Sequence, residues 1–295
     1  MNELFAIIGG DRRQISLANR FAKEGLRVNS YGLPCDKLLA GVTAHTTWQD
    51  AIVGASAVLL PLPASPDGVR INVPLSPTAS PPAFLELLRV IPRDIPMIGG
   101  RFTPAMREAA EQMGKTLYDY CKEEEFQQKN AIPTAEGAVA ILMERETHTI
   151  KGLSVAITGF GRVAKALAFL LLAMGANVTV GARRQSALEE ASALGCKTVR
   201  LCGEESMFAL VRDKAAVFNT VPQWIFTREV LEKLSPDTLL IDLASAPGGV
   251  DGEAARGLSR SVIWALSLPG KYAPDTAGEI IAETVLSLME REGNV

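Results

Sequence analysis

The sequence predicts an α/β protein of two doubly wound parallel-sheet domains, the second a Rossmann dinucleotide-binding domain. Three observations carry this expectation. Short apolar runs alternate with helical patterns along the chain, as parallel strands joined by crossover helices require. The length of 295 residues suits two domains at ~150 residues each. A glycine turn, Gly159-Phe160-Gly161-Arg162-Val163-Ala164, follows one apolar run and opens a long apolar helix.

The first domain is expected over residues 1–130. Leu4 to Ile8 ends at Gly9-Gly10, and Ile15, Leu17, Ala18, Phe21 and Ala22 follow at helical spacing, which reads as strand, tight turn and helix. Further strands are expected at Arg27 to Tyr31, Ala57 to Leu62, Pro96 to Ile98 and Thr116 to Tyr120. Helices are expected at Trp48 to Val53, Ala83 to Val90 and Pro104 to Met113. Pro63, Pro66, Pro74, Pro77 and Pro81 forbid a helix or central strand across Pro61 to Pro82. That stretch is a long loop beyond a strand end, the side on which such sheets take ligands.

The second domain is expected over 131–295, entered by a connecting helix within 134–148 behind Pro133. Its strands are Val155 to Thr158, Asn177 to Val180, Lys197 to Arg200, Ala216 to Asn219, Leu239 to Leu243 and Val262 to Ala265. Its helices are Val163 to Met174, Ser186 to Leu194, Met207 to Val211 and Arg228 to Lys233. The last helix, 276–291, is free to pack back on the first domain. A cleft between the two domains is the default place for chemistry.

Composition narrows the function classes. Hydrophobic residues at 47% and charged residues at 21% exclude a disordered or fibrous chain. A net charge of -3 gives no basic field for nucleic acid. Cys35, Cys121, Cys196 and Cys202 form no paired motif, and His45 and His148 are the only histidines, so a metal site is not expected and the thiols read as reduced in a cytoplasm. The opening apolar run is too short for a signal-peptide core. The stretch Val163 to Ala176 carries Lys165 and falls short of the ~20 residues a membrane span needs, so no membrane partner is expected.

In the glycine turn, Gly159 permits the bend, Gly161 lets a pyrophosphate approach the backbone, and Ala164 permits close packing of helix on sheet. Phe160, Arg162 and Val163 complete the cradle, at a helix start whose free N–H groups favour anions. An NAD site usually ends its second strand in an acid that binds the ribose. Here Val178-Thr179-Val180-Gly181-Ala182-Arg183-Arg184-Gln185-Ser186 has none. Ala182, Arg183, Arg184 and Ser186 suit a 2′-phosphate instead, and the expected cofactor is NADP. Asn219, Thr220, Val221, Pro222 and Ser245 stand at later strand ends, where they either line the cofactor or cap turns.

Arg12 and Arg13 at the start of the first helix, and Arg101 after Gly99-Gly100, are candidates for gripping carboxylates, with surface ion pairing the alternative. Gly9-Gly10-Asp11 lacks the third small residue, so a second dinucleotide site is not expected. Thr134 and Glu136 open the connecting helix and either touch substrate or cofactor or cap the helix. Neither histidine stands in a catalytic setting. Hydrolase, nucleotide-triphosphatase and metalloprotease motifs are lacking.

Several stretches together resemble the family of A-type subunits of dipicolinate synthase from spore-forming bacteria: Ile7 to Gln14, Asn130 to Gly137, Gly159 to Arg162, Val180 to Arg183, Asp242 to Ser245 with Pro247-Gly248-Gly249, and Leu268 to Gly278. The likeness covers nearly the whole chain. It implies a role in sporulation, in the mother-cell cytoplasm, making pyridine-2,6-dicarboxylate from a hydroxy-tetrahydrodipicolinate that branches off lysine biosynthesis. It also implies a partner, the B-type subunit of dipicolinate synthase, which is flavoprotein-like. Arg183-Arg184 departs from a pattern in which serine often follows a single arginine. A cyclic dicarboxylate substrate fits the candidates Arg12, Arg13 and Arg101, and Glu136 is the candidate for proton removal during dehydration. The alternatives are a noncatalytic dinucleotide-binding protein and an NADP dehydrogenase of another small hydroxy or keto acid; homo-oligomerisation stays open.

Overall fold

Buried apolar strands that alternate with capped helices fold into two sheets of one topology. The computed structural model describes residues 3–291 and 293. The chain divides into two compact units, Met1–Asn130 with Ala273–Val295, and Ala131–Tyr272.

The first unit contains β1 (Leu4–Ile8), α1 (Arg12–Lys23), β2 (Arg27–Tyr31), β3 (Val42–His45), α2 (Trp48–Ala51) and β4 (Ala57–Leu59), then α3 (Phe84–Val90), β5 (Met97–Gly99), α4 (Pro104–Gln112) and β6 (Leu117–Asp119). Helix α5 (Glu124–Arg145) leads into the second unit: β7 (Ser154–Thr158), α6 (Arg162–Ala173), β8 (Asn177–Ala182), α7 (Gln185–Ala193), β9 (Lys197–Arg200), α8 (Glu204–Val211) and β10 (Ala216–Asn219). There follow α9 (Arg228–Lys233), β11 (Leu239–Asp242), α10 (Gly252–Gly257), β12 (Val262–Trp264) and α11 (Leu268–Tyr272), and α12 (Pro274–Arg291) returns to the first unit.

Strand order is β3-β2-β1-β4-β5-β6 in one sheet and β12-β11-β10-β7-β8-β9 in the other, and every pairing is parallel. Counted from its own first strand, each sheet therefore has the same doubly wound order, with a switch point between β1 and β4 or between β7 and β10. Burial on both faces explains why the central strands are continuous apolar runs. Along β1, Phe5 and Ile7 enter one core while Ala6 and Ile8 enter the other. Along β7, Val155 and Ile157 face one core and Ala156 the other.

The sequence reading holds neither α10 nor α11, and four of its other readings change. Edge strand β3 carries Thr43 exposed beside only two half-buried positions, too weak a pattern to announce itself. Strand β4 stops at Leu59, because the proline-bent segment begins directly beyond it. Helix α5 starts ten residues before Thr134 and keeps Pro133 in its interior, so Thr134 is not an N-cap. Proline is tolerated there at the loss of one N–H donor to the helix ladder. Helix α12 begins at Pro274 and packs on α1, with the Ser16 hydroxyl donating to the Asp275 carbonyl at 2.9 Å. Among the described residues no helix is long and apolar enough to cross a membrane.

Candidate functional site

In the second unit, β7 delivers the chain to Gly159 at φ +82°, a left-handed backbone that glycine adopts without strain. A Cβ added there would come within 2.7 Å of the Thr220 hydroxyl, so the fold itself demands this glycine. Gly161 differs. It caps α6 with no side-chain hydrogen bond, its backbone is extended, and a Cβ built on it meets nothing within 4 Å. The protein leaves open the space a side chain would fill, directly before the start of a twelve-residue helix.

That turn opens into a cavity of about 840 Å³. Its lining brings together Gly159, Phe160, Gly161, Ala182, Arg183, Arg184 and Val221 of the sequence candidates. Arg183 and Arg184 are exposed at the end of β8 and make no ion pair among the described residues. Arg162, Val163, Ser186, Thr220, Pro222 and Ser245 lie outside the lining. Thr220 donates from its hydroxyl to the Thr158 carbonyl at 2.7 Å. The Ser245 carbonyl accepts from the Gly248 N–H in the loop after β11. Sequence reasoning missed Leu201, Cys202, Met207, Gln223, Trp224 and Ile225. Only their place just past β9 and β10, at the ligand edge of the sheet, could have flagged them.

Of the two roles expected of it, Asn219 takes the turn-capping one. It is fully buried, and its amide oxygen accepts from the Thr158 hydroxyl at 2.6 Å and the Val221 N–H at 3.0 Å. Its amide nitrogen donates to the Val221 carbonyl at 3.1 Å and to Asp242 Oδ1 at 2.8 Å. With all four hydrogen bonds used inside, Asn219 positions the turn and does not line the cavity. Asp242, also buried, accepts in addition from the Ala244 N–H at 3.1 Å and the Gly249 N–H at 3.0 Å. This network laces the ends of β7, β10 and β11, and a Cβ at Gly249 would overlap the Asn219 amide. It fixes the backbone that carries Val221 and Trp224.

In the first unit the arginines separate by burial. Arg13 is 3% exposed, and its guanidinium donates Nε–H to Asp11 Oδ1 at 2.9 Å and Nη2–H to Asp11 Oδ2 and the Leu62 carbonyl. Burial pulls its pKa down, but the hydrogen bonds and charge of Asp11 outweigh it and hold the pKa above the ordinary value. Arg13 thus brackets α1 to the loop after β4 through Nε and Nη2, buried at the place where the sequence offers it as a carboxylate grip. Arg12 and Arg101 are exposed. Arg101 sits at φ +59°, unusual for a side-chain-bearing residue, and its N–H donates to Asp119 Oδ1 at 3.1 Å. Asp119 also accepts from the Cys121 N–H at 3.1 Å and pairs with Arg107. Burial, then the Asp119 charge, pushes the Cys121 thiol up to about 12, so it is protonated and inert at neutral pH.

Glu136 is exposed on α5, while Thr134 is half-buried beside Pro133 near the middle of the same helix. His148 is exposed and contacts Glu146 at 2.8 Å, beyond the end of α5. Among the described residues no group of three or more His, Cys, Asp or Glu side chains is placed to hold a metal.

An open helix start behind a glycine turn, on the switch side of a doubly wound sheet, defines the nicotinamide-dinucleotide domain of a dehydrogenase. Residues 119–255 match the D-isomer specific 2-hydroxyacid dehydrogenase NAD-binding domain, and residues 4–121 match the N-terminal domain of the A-type subunit of dipicolinate synthase. Over nearly its whole length the chain is similar to that same A-type subunit. It is 29% identical to the protein of Bacillus subtilis across 96% of this chain and 95% of the relative. The crystal structure of the counterpart from Bacillus halodurans superposes with a TM-score of 0.89 at 27% identity, covering 98% of both chains. A transhydrogenase from Sinorhizobium meliloti shares the fold, with a TM-score of 0.72 at 15% identity over 99% of this chain and 95% of the other.

Proposed function

We propose that the chain is the NADP-dependent oxidoreductase component of a dipicolinate synthase, converting hydroxy-tetrahydrodipicolinate to dipicolinate during sporulation with a flavoprotein-like B-type subunit. The observation that carries this reading is the open Gly161 cradle with two arginines that make no ion pair among the described residues, and no acid, at the end of β8. The α6 N–H groups behind Gly161 hold the pyrophosphate, and Arg183 and Arg184 hold the 2′-phosphate by charge-assisted bonds. Val221 packs against the cofactor on the backbone that Asn219 fixes.

The substrate loses its ring hydroxyl as water to give a dihydropyridine, which then loses a hydride and a proton to become aromatic. NADP+, when bound, supplies the hydride acceptor. Arg12 and Arg101 hold the two carboxylates; the left-handed backbone of Arg101, tied to Asp119, presets where that guanidinium starts. Glu136, exposed and one residue before Gly137 on α5, takes the proton released in dehydration.

Purified chain mixed with substrate and NADP+, with and without the B-type partner, tests the reading by reduced-nicotinamide absorbance. Growth of that absorbance is expected, and silence in both mixtures rejects a catalytic role. Glu136→Gln is expected to lower kcat by roughly 100-fold with little change in KM; unchanged turnover removes Glu136 from the chemistry.

A further inference from the structure

The loop after β10 carries an aromatic side chain that the fold does not use. Trp224 is 67% exposed, whereas tryptophan is normally highly buried. It stands on the rim of the 840 Å³ cavity, and the loop beneath it is anchored on both sides. Before it, Asn219 grips Val221 through both backbone groups. After it, the N–H groups of Ile225 and Phe226 both donate to the Gly249 carbonyl, at 3.1 and 3.0 Å, with Phe226 fully buried. The indole is thus mounted on a fixed backbone, and only its own side-chain torsions need ordering when a ligand arrives.

The chemistry of the cavity divides along its lining. It holds the Gly159–Gly161 cradle and a cationic pair, Arg183 and Arg184. The rest of the lining bears Trp224 beside apolar Leu201, Met207 and Ile225, together with the polar Cys202, Glu204, Gln223 and Thr227. Anion cradle, cation pair and aromatic plate match the three parts of an adenosine phosphate: the pyrophosphate, the 2′-phosphate and a flat purine. Aromatic faces stack on such rings with a gain beyond simple area burial.

We propose that Trp224 stacks on the adenine ring of the bound dinucleotide and sets the affinity of the site for the adenosine half of its ligand. This rests on the dinucleotide reading above and adds the residue that recognises the base. Of the three tryptophans, Trp48 is 8% exposed in the first unit and Trp264, 47% exposed on β12, is outside the lining, so the part of the indole signal lost in Trp224→Phe is that of Trp224.

The full chain is titrated with NADP+, with NAD+, with adenosine 2′,5′-bisphosphate and with nicotinamide mononucleotide, by calorimetry and by fluorescence. NADP+ and the bisphosphate are expected to quench the indole, and the mononucleotide is not. Trp224→Ala is expected to weaken both adenine ligands about 5- to 10-fold, and Trp224→Phe to restore them to within about 2-fold while abolishing the quench. Equal NADP+ binding by wild type and Trp224→Ala overturns the stacking assignment and leaves the dinucleotide site standing. No binding heat from either NADP+ or NAD+ in the wild type overturns the dinucleotide reading, and the assignment with it.

Discussion

Two turns occupy the same place in sheets of the same strand order, yet one is closed from within and the other is open. After β1, Gly9-Gly10-Asp11 leads into α1; after β7, Gly159-Phe160-Gly161 leads into α6. Asp11 caps α1 with its own carboxylate, accepting from the Arg13 N–H at 3.0 Å, while Gln14 reaches back to the Asp11 N–H at 3.0 Å in a capping box. The proline-bent segment then lies on the turn. Gly10 donates to the Asn72 carbonyl at 2.8 Å, and a Cβ on Gly9 would come within 2.5 Å of that oxygen. Val73 fills the space beside Gly32 at the end of β2. Gly9 of the first unit admits a segment of its own chain, and Gly161 of the second leaves a cavity. Glycine spacing alone therefore does not make an anion site; what occupies the free N–H groups of the helix start decides it.

Filling the open turn is the strongest way to break this comparison. Gly161→Val adds a side chain where the protein has no atom within 4 Å, so thermal stability should hold while dinucleotide affinity falls by about 100-fold or more, read by calorimetry beside a melting curve. Unchanged affinity would show that the space is not the phosphate subsite. Smaller, and aimed at the cationic corner, Arg183→Ala with Arg184→Ala should weaken NADP+ about 30-fold and leave NAD+ within about 3-fold. An equal loss for both coenzymes would place the arginines elsewhere than on a 2′-phosphate.

The converse change opens the closed turn. Asp11→Ala removes an N-cap and the counterion of a buried guanidinium, and should cost about 2 kcal/mol in denaturant unfolding. It should confer no dinucleotide binding on a Gly161→Val background, since Asn72 and Val73 still cover the first turn. Restored binding in that double variant would mean the carboxylate, rather than the covering segment, closes the first unit.

Much of this was legible in the residues. Period and punctuation place β1, β7, α6 and β8, because buried parallel strands are continuous apolar runs and their turns need glycine. The Gly159 and Gly161 pair, and the arginines after β8 in place of an acid, were readable for the same reason. Edge strand β3 was not, with Thr43 and Ala44 exposed and no buried residue among its four. The start of α5 was hidden behind Pro133, a residue that signals a boundary locally and is overridden here by the burial of Phe126, Ala131 and Ala135 along one continuous helix.

Arg13 and Arg12 are adjacent and chemically identical, and the sequence treats them alike. Only the fold buries one against Asp11 and leaves the other in solvent, because a helix turns ~100° per residue and just one face meets the core. Asn219 and Trp224 teach the same in the other direction: a residue suited to a ligand is spent on the backbone, and one suited to a core stands at the cavity rim. Sequence by itself determined the alternation of strands and helices and the chemical types gathered at each strand end. Which of those side chains remain free for a ligand was decided by tertiary structure, since hydrogen-bond capacity and solvent access are settled by neighbours distant along the chain.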